Sequence, residues 1–364
     1  MDQESLLQKL HIDLPLLLGL LVLCGVGIVI LFSASGQDYG VIYAQLLKLV
    51  AAFTIMILVA QLSPAQLERW SLGIYIIGII LLVLVLYAGA TGKGAQRWLN
   101  IAGFSFQPSE IMKLAVPMVI AWYFSEKSLP PSLPRIFIAC ILIALPVVLI
   151  RQQPDLGTAF LVAIAGFSVL FIAGIRWRLI VGIILIAAMS MPVVWHFMHD
   201  YQKNRILTFL DPEQDPLGAG YHIIQSMIAI GSGGMYGKGW LNGTQSHLEF
   251  LPERSTDFIF SVYCEEFGFM GVLLLVCIYM FIIVRGLYIS LNAQDTYARL
   301  LGAGLVLTFF VYIYVNMGMV TGQLPVVGVP LPLVSRGGTS MVTLMTGFGI
   351  IMAIHSHRRL LSGS

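Results

Sequence analysis

The sequence LPLLLGLLVLCGVGIVILFS, residues 14–33, is an apolar run without a charged side chain, and it is long enough to cross a bilayer as a helix. It follows the polar segment 1–13 and is longer than the apolar core of a cleavable signal peptide, so we expect it to be retained as a first transmembrane helix. Further apolar runs follow at 41–62, 72–90, 109–124, 135–150, 156–173, 178–198, 257–284, 298–322 and 338–355. The pattern predicts an all-α polytopic membrane protein with about ten transmembrane helices.

The composition supports this class. Hydrophobic residues make up 58% of the 364 residues and charged residues 10%, and the mean hydropathy is +0.89. A soluble domain carries about 25% charged residues, so a soluble enzyme, a nucleic-acid-binding protein and a disordered chain are excluded. The apolar runs are long rather than alternating, which excludes an outer-membrane barrel. The four cysteines lie in apolar runs and show no disulfide or metal spacing.

The distribution of lysine and arginine predicts the side of the membrane that each connection faces. One set of short connections holds Lys9, Arg69, Lys127, Arg135, Arg176, Arg178, Arg285, Arg299, Arg358 and Arg359, and the other holds only Lys93, Arg97, Arg151 and Arg336. We therefore expect both terminal segments, 1–13 and 356–364, in the cytoplasm. Between them in the sequence lies a transmembrane domain over 14–355. The long polar loop 199–256 then lies on the outer side of the membrane.

Ionisable side chains inside apolar runs are energetically unfavourable and point to a specific requirement. Glu110 and Lys113 are three residues apart, so they share a helix face and can pair. They form either an internal ion pair that orients the fourth helix or part of a cavity wall whose lysine binds a substrate anion, and both can be true. Lys48 fits a snorkelling or cavity-facing residue better than a catalytic one.

Asp257 closes the long outer loop at the predicted start of the eighth helix. Ser255 or Thr256 can cap this helix, which would place Asp257 in its first turn. The carboxylate is then either stabilised by the helix N-terminus or a chemical group that faces the outer compartment. Glu265 lies deeper on the same helix and could line the same cavity.

The outer loop has features of its own. The apolar stretch 221–230 is too short to span a membrane and fits a re-entrant or interfacial helix. The glycine-rich stretch 231–239 lacks the spacing of a nucleotide-binding P-loop, so we expect its glycines to permit tight turns against the bundle. His222 and His247 have no metal-ligand spacing and are expected to be structural.

Two polar islands, 151–158 and 316–340, interrupt apolar sequence on the same predicted side. Irregular backbone near the membrane is tolerated where protein or a watery cavity satisfies its polar groups. The outer ends of several helices are therefore expected to frame a polar cavity. From the residues alone, this cavity suits either an enzyme that acts on a lipid-linked substrate or a transporter.

Seven stretches, at 32–36, 93–99, 106–110, 153–158, 218–226, 253–258 and 325–335, resemble the SEDS family (shape, elongation, division and sporulation) in the same order along nearly the whole chain. The resemblance implies a ten-helix peptidoglycan glycosyltransferase. Such an enzyme polymerises lipid II into β-1,4-linked glycan strands during cell elongation, with inversion at the anomeric carbon. Its active site faces the periplasm from the bacterial inner membrane, so 199–256 becomes a periplasmic loop.

The resemblance also implies partners and site residues. A class B penicillin-binding protein supplies transpeptidation, and other elongation proteins, membrane lipids, lipid II and undecaprenyl diphosphate complete the set, with no nucleic acid. Asp257 matches the proposed catalytic residue and is our candidate base. The substrate-binding candidates are Glu110, Lys113, Arg97, Trp98, Gln107, Arg151, Asp155, Gln225 and Ser335.

The leaving diphosphate requires positive charge. Lys113, Arg97, Arg151 and a divalent cation, Mg²⁺ or Mn²⁺, are the candidates, and no other cofactor is expected. Arg336 stands where the family pattern has an aromatic residue, which adds a cation at the outer face. The alternatives are a lipid II flippase or other transporter and a non-catalytic scaffold for a transpeptidase, although no inverted repeat is visible.

Overall fold

The computed structural model describes residues 11–92, 95–101, 104–198, 200–212, 219–244 and 253–362. Each of the ten predicted apolar segments coincides with a helix. The helices are α1 (Leu14–Ala34), α2 (Tyr39–Ala60), α3 (Pro64–Ala88), α4 (Pro108–Ser125), α5 (Leu133–Gln152), α6 (Leu156–Ile172), α7 (Trp177–Phe197), α8 (Asp200–Leu210), α9 (Ala219–Gly233), α10 (Ile259–Leu291), α11 (Thr296–Val320) and α12 (Thr339–Ser362). The predicted helical class is therefore confirmed.

Seven helices in the described part of the chain, α1, α2, α3, α5, α10, α11 and α12, are long and apolar enough to cross a membrane. The protein is thus a multi-pass membrane protein, while the count of ten spans and the cytoplasmic position of the termini stay predictions. Two boundaries differ from the sequence analysis. The segment 356–362, expected as a tail, continues α12, and the loop 199–256 contains α8 and α9. The prediction of a short helix over 221–230 is confirmed by α9.

Polar side chains fix where several helices begin. The Asp13 carboxylate accepts a hydrogen bond from the Leu16 N–H (3.0 Å), and Asp38 caps α2 in the same way. Ser63 and Gln66 form a reciprocal capping box at α3. This box explains why α3 begins eight residues before the apolar run at 72–90, since the helix extends beyond its membrane-compatible part.

The connection between α3 and α4 carries a small antiparallel sheet that the sequence analysis did not predict. Its strands are β1 (Ala90–Gly92), β2 (Ala95–Ile101) and β3 (Phe104–Phe106), in the order β1-β2-β3. Trp98 pairs with Ala90 across β1 and β2, and Leu99 is buried. The sheet holds β2 at the end of the bundle and so fixes the position of Arg97.

Helix α11 lies in the centre of the bundle, where small residues allow close approach. A side-chain carbon at Gly302 would lie 2.5 Å from Ser290 Oγ of α10, and one at Gly304 would lie 2.5 Å from a Val169 methyl of α6. A larger residue at either crossing would force its neighbour to shift. The tight packing fixes the three helices relative to one another.

Helix α10 is broken at Gly268, whose backbone has φ +61° and ψ −163°. The glycine-rich segment 234–239 packs into the break and satisfies its free carbonyl groups. The Lys238 N–H donates to the Glu265 carbonyl and the Gly239 N–H to the Glu266 carbonyl, both at 3.0 Å. The prediction that these glycines permit tight turns against the bundle is confirmed, because Gly234, Gly237 and Gly239 have positive φ and a side-chain carbon at Gly237 would collide with the Glu266 carbonyl.

The start of α1 meets α10 and the C-terminal half of α12 at one end of the bundle. Arg285 donates to Asp13 Oδ2 at 2.6 Å, and His355 Nε2 lies 3.5 Å from the same oxygen. Burial by itself would raise the pKa of Asp13, but hydrogen bonds from Arg285 and from a main-chain N–H of α1 hold the pKa below its ordinary value of 3.8. The cluster therefore ties α1, α10 and α12 together.

Candidate active site

A polar cavity of about 460 Å³ opens at one end of the bundle. Its walls come from four connections between helices and strands that lie far apart in the sequence. The lining residues are Arg97, Pro154, Asp155, Leu156, Gly157, Glu253, Thr256, Asp257, Val327, Gly328, Pro330 and Arg336. Three of the predicted site residues, Arg97, Asp155 and Asp257, are thus brought together in the cavity expected from the polar islands.

Neighbouring polar side chains hold the main chain around Asp257. Asn316 Nδ2 donates to the carbonyl of Asp257 (2.9 Å) and to that of Val329 (2.6 Å). The Ser335 hydroxyl donates to the Thr256 carbonyl at 2.6 Å. Ser335, predicted to bind substrate, is buried and acts on the main chain instead. The carboxylate of Asp257 is therefore held on a backbone that is fixed from two sides.

The predicted cap of the eighth helix is wrong. Helix α10 begins at Ile259 without a side-chain cap, and residues 253–258 form turns. The Thr256 hydroxyl donates to the Glu253 carbonyl (3.1 Å), so neither it nor Ser255 caps the helix. Turn hydrogen bonds back to Glu253 compete with the helical geometry over this stretch. Asp257 consequently lies before the helix, on the cavity wall, rather than in its first turn.

Arg97 and Asp155 form an ion pair across the cavity wall. Arg97 Nε lies 3.7 Å from Asp155 Oδ2, and its guanidinium also donates to the Pro154 carbonyl. Asp155 accepts further hydrogen bonds from Gln107 Nε2 (3.0 Å) and from the Thr158 hydroxyl (2.9 Å), and it caps α6. Gln107, a predicted site residue, thus holds Asp155, which in turn orients the guanidinium of Arg97.

The predicted pairing of Glu110 and Lys113 is confirmed, with Lys113 Nζ 2.7 Å from Glu110 Oε1 and both side chains buried. However, neither residue lines the cavity that holds Asp257. Lys113 borders a void of about 30 Å³ near Tyr312, and Glu110 borders an apolar cavity of about 630 Å³ together with Lys48.

Four further candidates lie outside the polar cavity. Trp98 follows Arg97 on β2, Arg151 is exposed at the last turn of α5, and Gln225 is half-buried on α9. Glu265 is buried and pairs with Lys238 Nζ at 2.7 Å, so the expectation that it lines the cavity with Asp257 is wrong. The break in α10 turns Glu265 toward the glycine-rich segment instead.

The sequence analysis missed residues that shape the cavity. Gly328, at φ +75°, lets the main chain pass Asp257 Oδ2, to which a side-chain carbon would lie 3.5 Å away. Gly157 faces the Val327 carbonyl, where such a carbon would lie at 2.6 Å. Asn316 gave a usable signal, because an asparagine in an apolar helix requires partners. Nothing in the sequence indicates the partners of the two glycines.

Comparison with known proteins decides the family. The sequence pattern of the FtsW, RodA and SpoVE family, described as cell cycle proteins, matches residues 6–360. The chain belongs to the SEDS family. This SEDS protein is 53% identical to the peptidoglycan glycosyltransferase MrdB of Escherichia coli K12, over all of this chain and 98% of the relative. It is 37% identical to MrdB of Helicobacter pylori J99, over 94% of this chain and 89% of the relative.

Solved structures show the same SEDS fold. A chain from a peptidoglycan synthase complex that coordinates polymerization and crosslinking superposes with a TM-score of 0.83 at 32% identity, covering 95% of this chain and 98% of that one. The rod shape determining protein RodA of Thermus thermophilus superposes with a TM-score of 0.72 at 27% identity, over 95% and 97% of the two chains. The resemblance found in the sequence motifs is thereby confirmed.

Proposed function

We infer that this chain is a peptidoglycan glycosyltransferase, and we propose that it polymerises lipid II into β-1,4 glycan strands during cell elongation. The family and the names of the relatives support the activity. The observation that carries the mechanism is Asp257, fixed on the wall of a polar cavity at one end of an apolar bundle. A substrate with a sugar, a diphosphate and a lipid tail matches that combination.

We propose Asp257 as the general base. The C4 hydroxyl of one lipid-linked sugar attacks C1 of another, the bond from C1 to the diphosphate oxygen breaks, and the hydroxyl proton passes to the Asp257 carboxylate. The donor linkage is α and the product linkage is β, so the reaction inverts and needs no protein nucleophile. The hydrogen bonds from Asn316 and Ser335 to the adjoining main chain would keep the carboxylate in place.

Arg97 is our candidate for stabilising the leaving diphosphate. Its guanidinium lies on the cavity wall and is oriented by Asp155. A positioned cation stabilises the charge that develops on the leaving oxygen. Trp98, next to Arg97 on β2, is proposed to stack on a sugar ring at the cavity edge.

We propose that the polyprenyl tail occupies the apolar cavity of about 630 Å³. Its walls come from α2, α3, α4 and α12, and they run from Phe106 near one end of the bundle to Trp70 near the other. Lys48 and Glu110 are its charged lining residues. In this arrangement the Glu110–Lys113 pair fixes α4 between the tail and the centre of the bundle. Arg151 and Gln225 remain candidates for contacts with the rest of the substrate.

A divalent cation, Mg²⁺ or Mn²⁺, is a further proposal. In the described ranges no cluster of three or more His, Cys, Asp or Glu side chains has the arrangement of a metal site. Mg²⁺ is commonly held by one or two carboxylates together with substrate phosphates, and the carboxylates of Asp155, Glu253 and Asp257 on the cavity wall suit that mode. Such an ion would add positive charge beside the diphosphate.

We propose that the enzyme works in the bacterial inner membrane, with this cavity facing the periplasm, and that a class B penicillin-binding protein is its transpeptidase partner. The synthase complex that shares the fold supports such a partner. The lysine and arginine distribution supports the orientation, since the cavity residues lie in the connections that are poor in basic residues.

The test is polymer formation from lipid II by the purified chain with its transpeptidase partner in detergent. An enzyme makes long glycan strands that a gel separates from lipid II. A flippase, another transporter or a scaffold makes none, because detergent leaves no second compartment. Absence of polymer from a folded complex would reject the proposal.

A further inference from the structure

Two arginines line the polar cavity, and they differ in whether their guanidinium groups already have hydrogen-bond partners. Its wall carries three carboxylates, those of Asp155, Glu253 and Asp257, and the two arginines Arg97 and Arg336. An anionic substrate group entering this cavity meets more negative than positive side chains. Its binding therefore depends on which arginine has donors available.

Arg97 is already engaged. Its Nε lies 3.7 Å from Asp155 Oδ2, and its terminal nitrogen donates to the Pro154 carbonyl. An anion that binds Arg97 has to share it with the Asp155 carboxylate. Arg97 therefore stabilises the cavity wall, and only part of its positive charge is available to a bound anion.

Arg336 is in a different situation. Within the described residues, no carboxylate lies within 4.0 Å of its guanidinium, and the side chain is exposed on the cavity wall. Its main chain, by contrast, is fixed, because its N–H donates to the Ser255 carbonyl at 2.8 Å. The preceding residue, Ser335, is held by the Thr256 carbonyl. The main chain of Arg336 is therefore fixed, while the N–H groups of its guanidinium are available to a ligand in the cavity.

An arginine fork binds phosphate oxygens through two parallel hydrogen bonds and keeps its charge at every physiological pH. We propose that Arg336 is the principal anion-binding side chain of this cavity and contacts the diphosphate of the lipid-linked substrate. This assignment rests on the proposed function for the identity of the substrate, but the anion site itself requires no turnover. A phospholipid headgroup has related chemistry and is distinguished by the experiment.

The test is binding of undecaprenyl diphosphate to the purified full chain in nanodiscs, with the variants Arg336→Gln and Arg336→Lys. We expect Arg336→Gln to raise the Kd about 10- to 100-fold, as for the loss of one or two charge-assisted hydrogen bonds. Arg336→Lys should lie between Arg336→Gln and the wild type, because it keeps the charge but not the fork. Arg299→Gln, at an exposed arginine on α11 that lies outside the cavity, is the matched control and should bind as the wild type does.

Three results would overturn the assignment. The first is an unchanged Kd for Arg336→Gln, and the second is an equal loss for Arg299→Gln. The third is displacement of the ligand by phosphatidylglycerol in the nanodisc at the same concentration as by added undecaprenyl diphosphate, which would assign Arg336 to headgroups. Polymerisation is measured separately. Arg336-dependent binding without polymer would reject the proposed function alone, whereas polymer with unchanged Arg336→Gln binding would reject this inference alone.

Discussion

The ion pair between Lys238 and Glu265 fastens the glycine-rich segment to the broken helix α10, and Lys238→Met tests it. Lys238 Nζ lies 2.7 Å from Glu265 Oε1, and the Thr244 hydroxyl donates to the same oxygen at 3.0 Å. The Glu265 side chain is 0% exposed and that of Lys238 is 28% exposed. Removing the lysine therefore leaves a fully buried carboxylate without its ammonium partner.

The size of the effect follows from this burial. Removing one partner of a buried ion pair costs about 3–5 kcal/mol, because the other charge stays buried without compensation. Lys238 is partly exposed, so we expect the lower end, about 3 kcal/mol, for Lys238→Met. The double variant Lys238→Met with Glu265→Gln removes both charges and should lose less than half of that, because no buried charge remains.

The assay is unfolding by SDS in mixed micelles, followed by circular dichroism, for both single variants and the double variant. Lys127→Met is the matched control, since its ammonium lies over the Tyr123 ring at the other end of the bundle and should contribute at most about 1 kcal/mol. Equal losses for Lys238→Met and the double variant would refute the reasoning. So would a loss for Lys238→Met no larger than that of the control.

Three further variants test other contacts. Asp13→Asn keeps the helix cap but weakens the hydrogen bond to Arg285, so the protein should lose about 1.5–3 kcal/mol of stability at pH 7. Because the pKa of Asp13 is held below 3.8, the stability difference between wild type and variant, measured by thermal unfolding, should shrink only as the pH falls below 3.8. Asn316→Leu removes two hydrogen bonds, including that to Asp257, and should lower glycan yield together with about 1–3 kcal/mol of stability; full yield would contradict the positioning role. Gly157→Ala places a carbon 2.6 Å from a facing carbonyl and should lose about 1–3 kcal/mol on thermal unfolding, whereas Gly25→Ala, which meets nothing within 4 Å, should be neutral.

The sequence predicted the positions of all ten main helices because each apolar run must form its own hydrogen bonds in lipid. It also placed Arg97, Asp155 and Asp257 at the same end of the bundle. Hydropathy is sufficient for the helices. The three residues are placed by the rule that successive connections between helices alternate between the two sides of the membrane. Helix ends were less predictable, as at Asp257, where turn hydrogen bonds to Glu253 displace the start of α10.

Contacts between distant segments could not be predicted from the sequence. The Glu110–Lys113 pair follows from helical spacing, but its place beside the apolar cavity depends on how α4 is rotated in the bundle. In the same way, Glu265 faces Lys238 only because α10 breaks at Gly268. Local spacing contains no information on either packing choice.

The most direct test of the central claim is glycan polymerisation by Asp257→Asn in a purified complex with the transpeptidase partner. The matched control is Asp38→Asn, which keeps a residue able to cap α2 and lies outside the polar cavity. A general base contributes about 10²- to 10⁴-fold, so we expect the initial rate with lipid II to fall at least about 100-fold in Asp257→Asn and to stay unchanged in Asp38→Asn. A folded Asp257→Asn complex that polymerises lipid II at the wild-type rate would contradict the account.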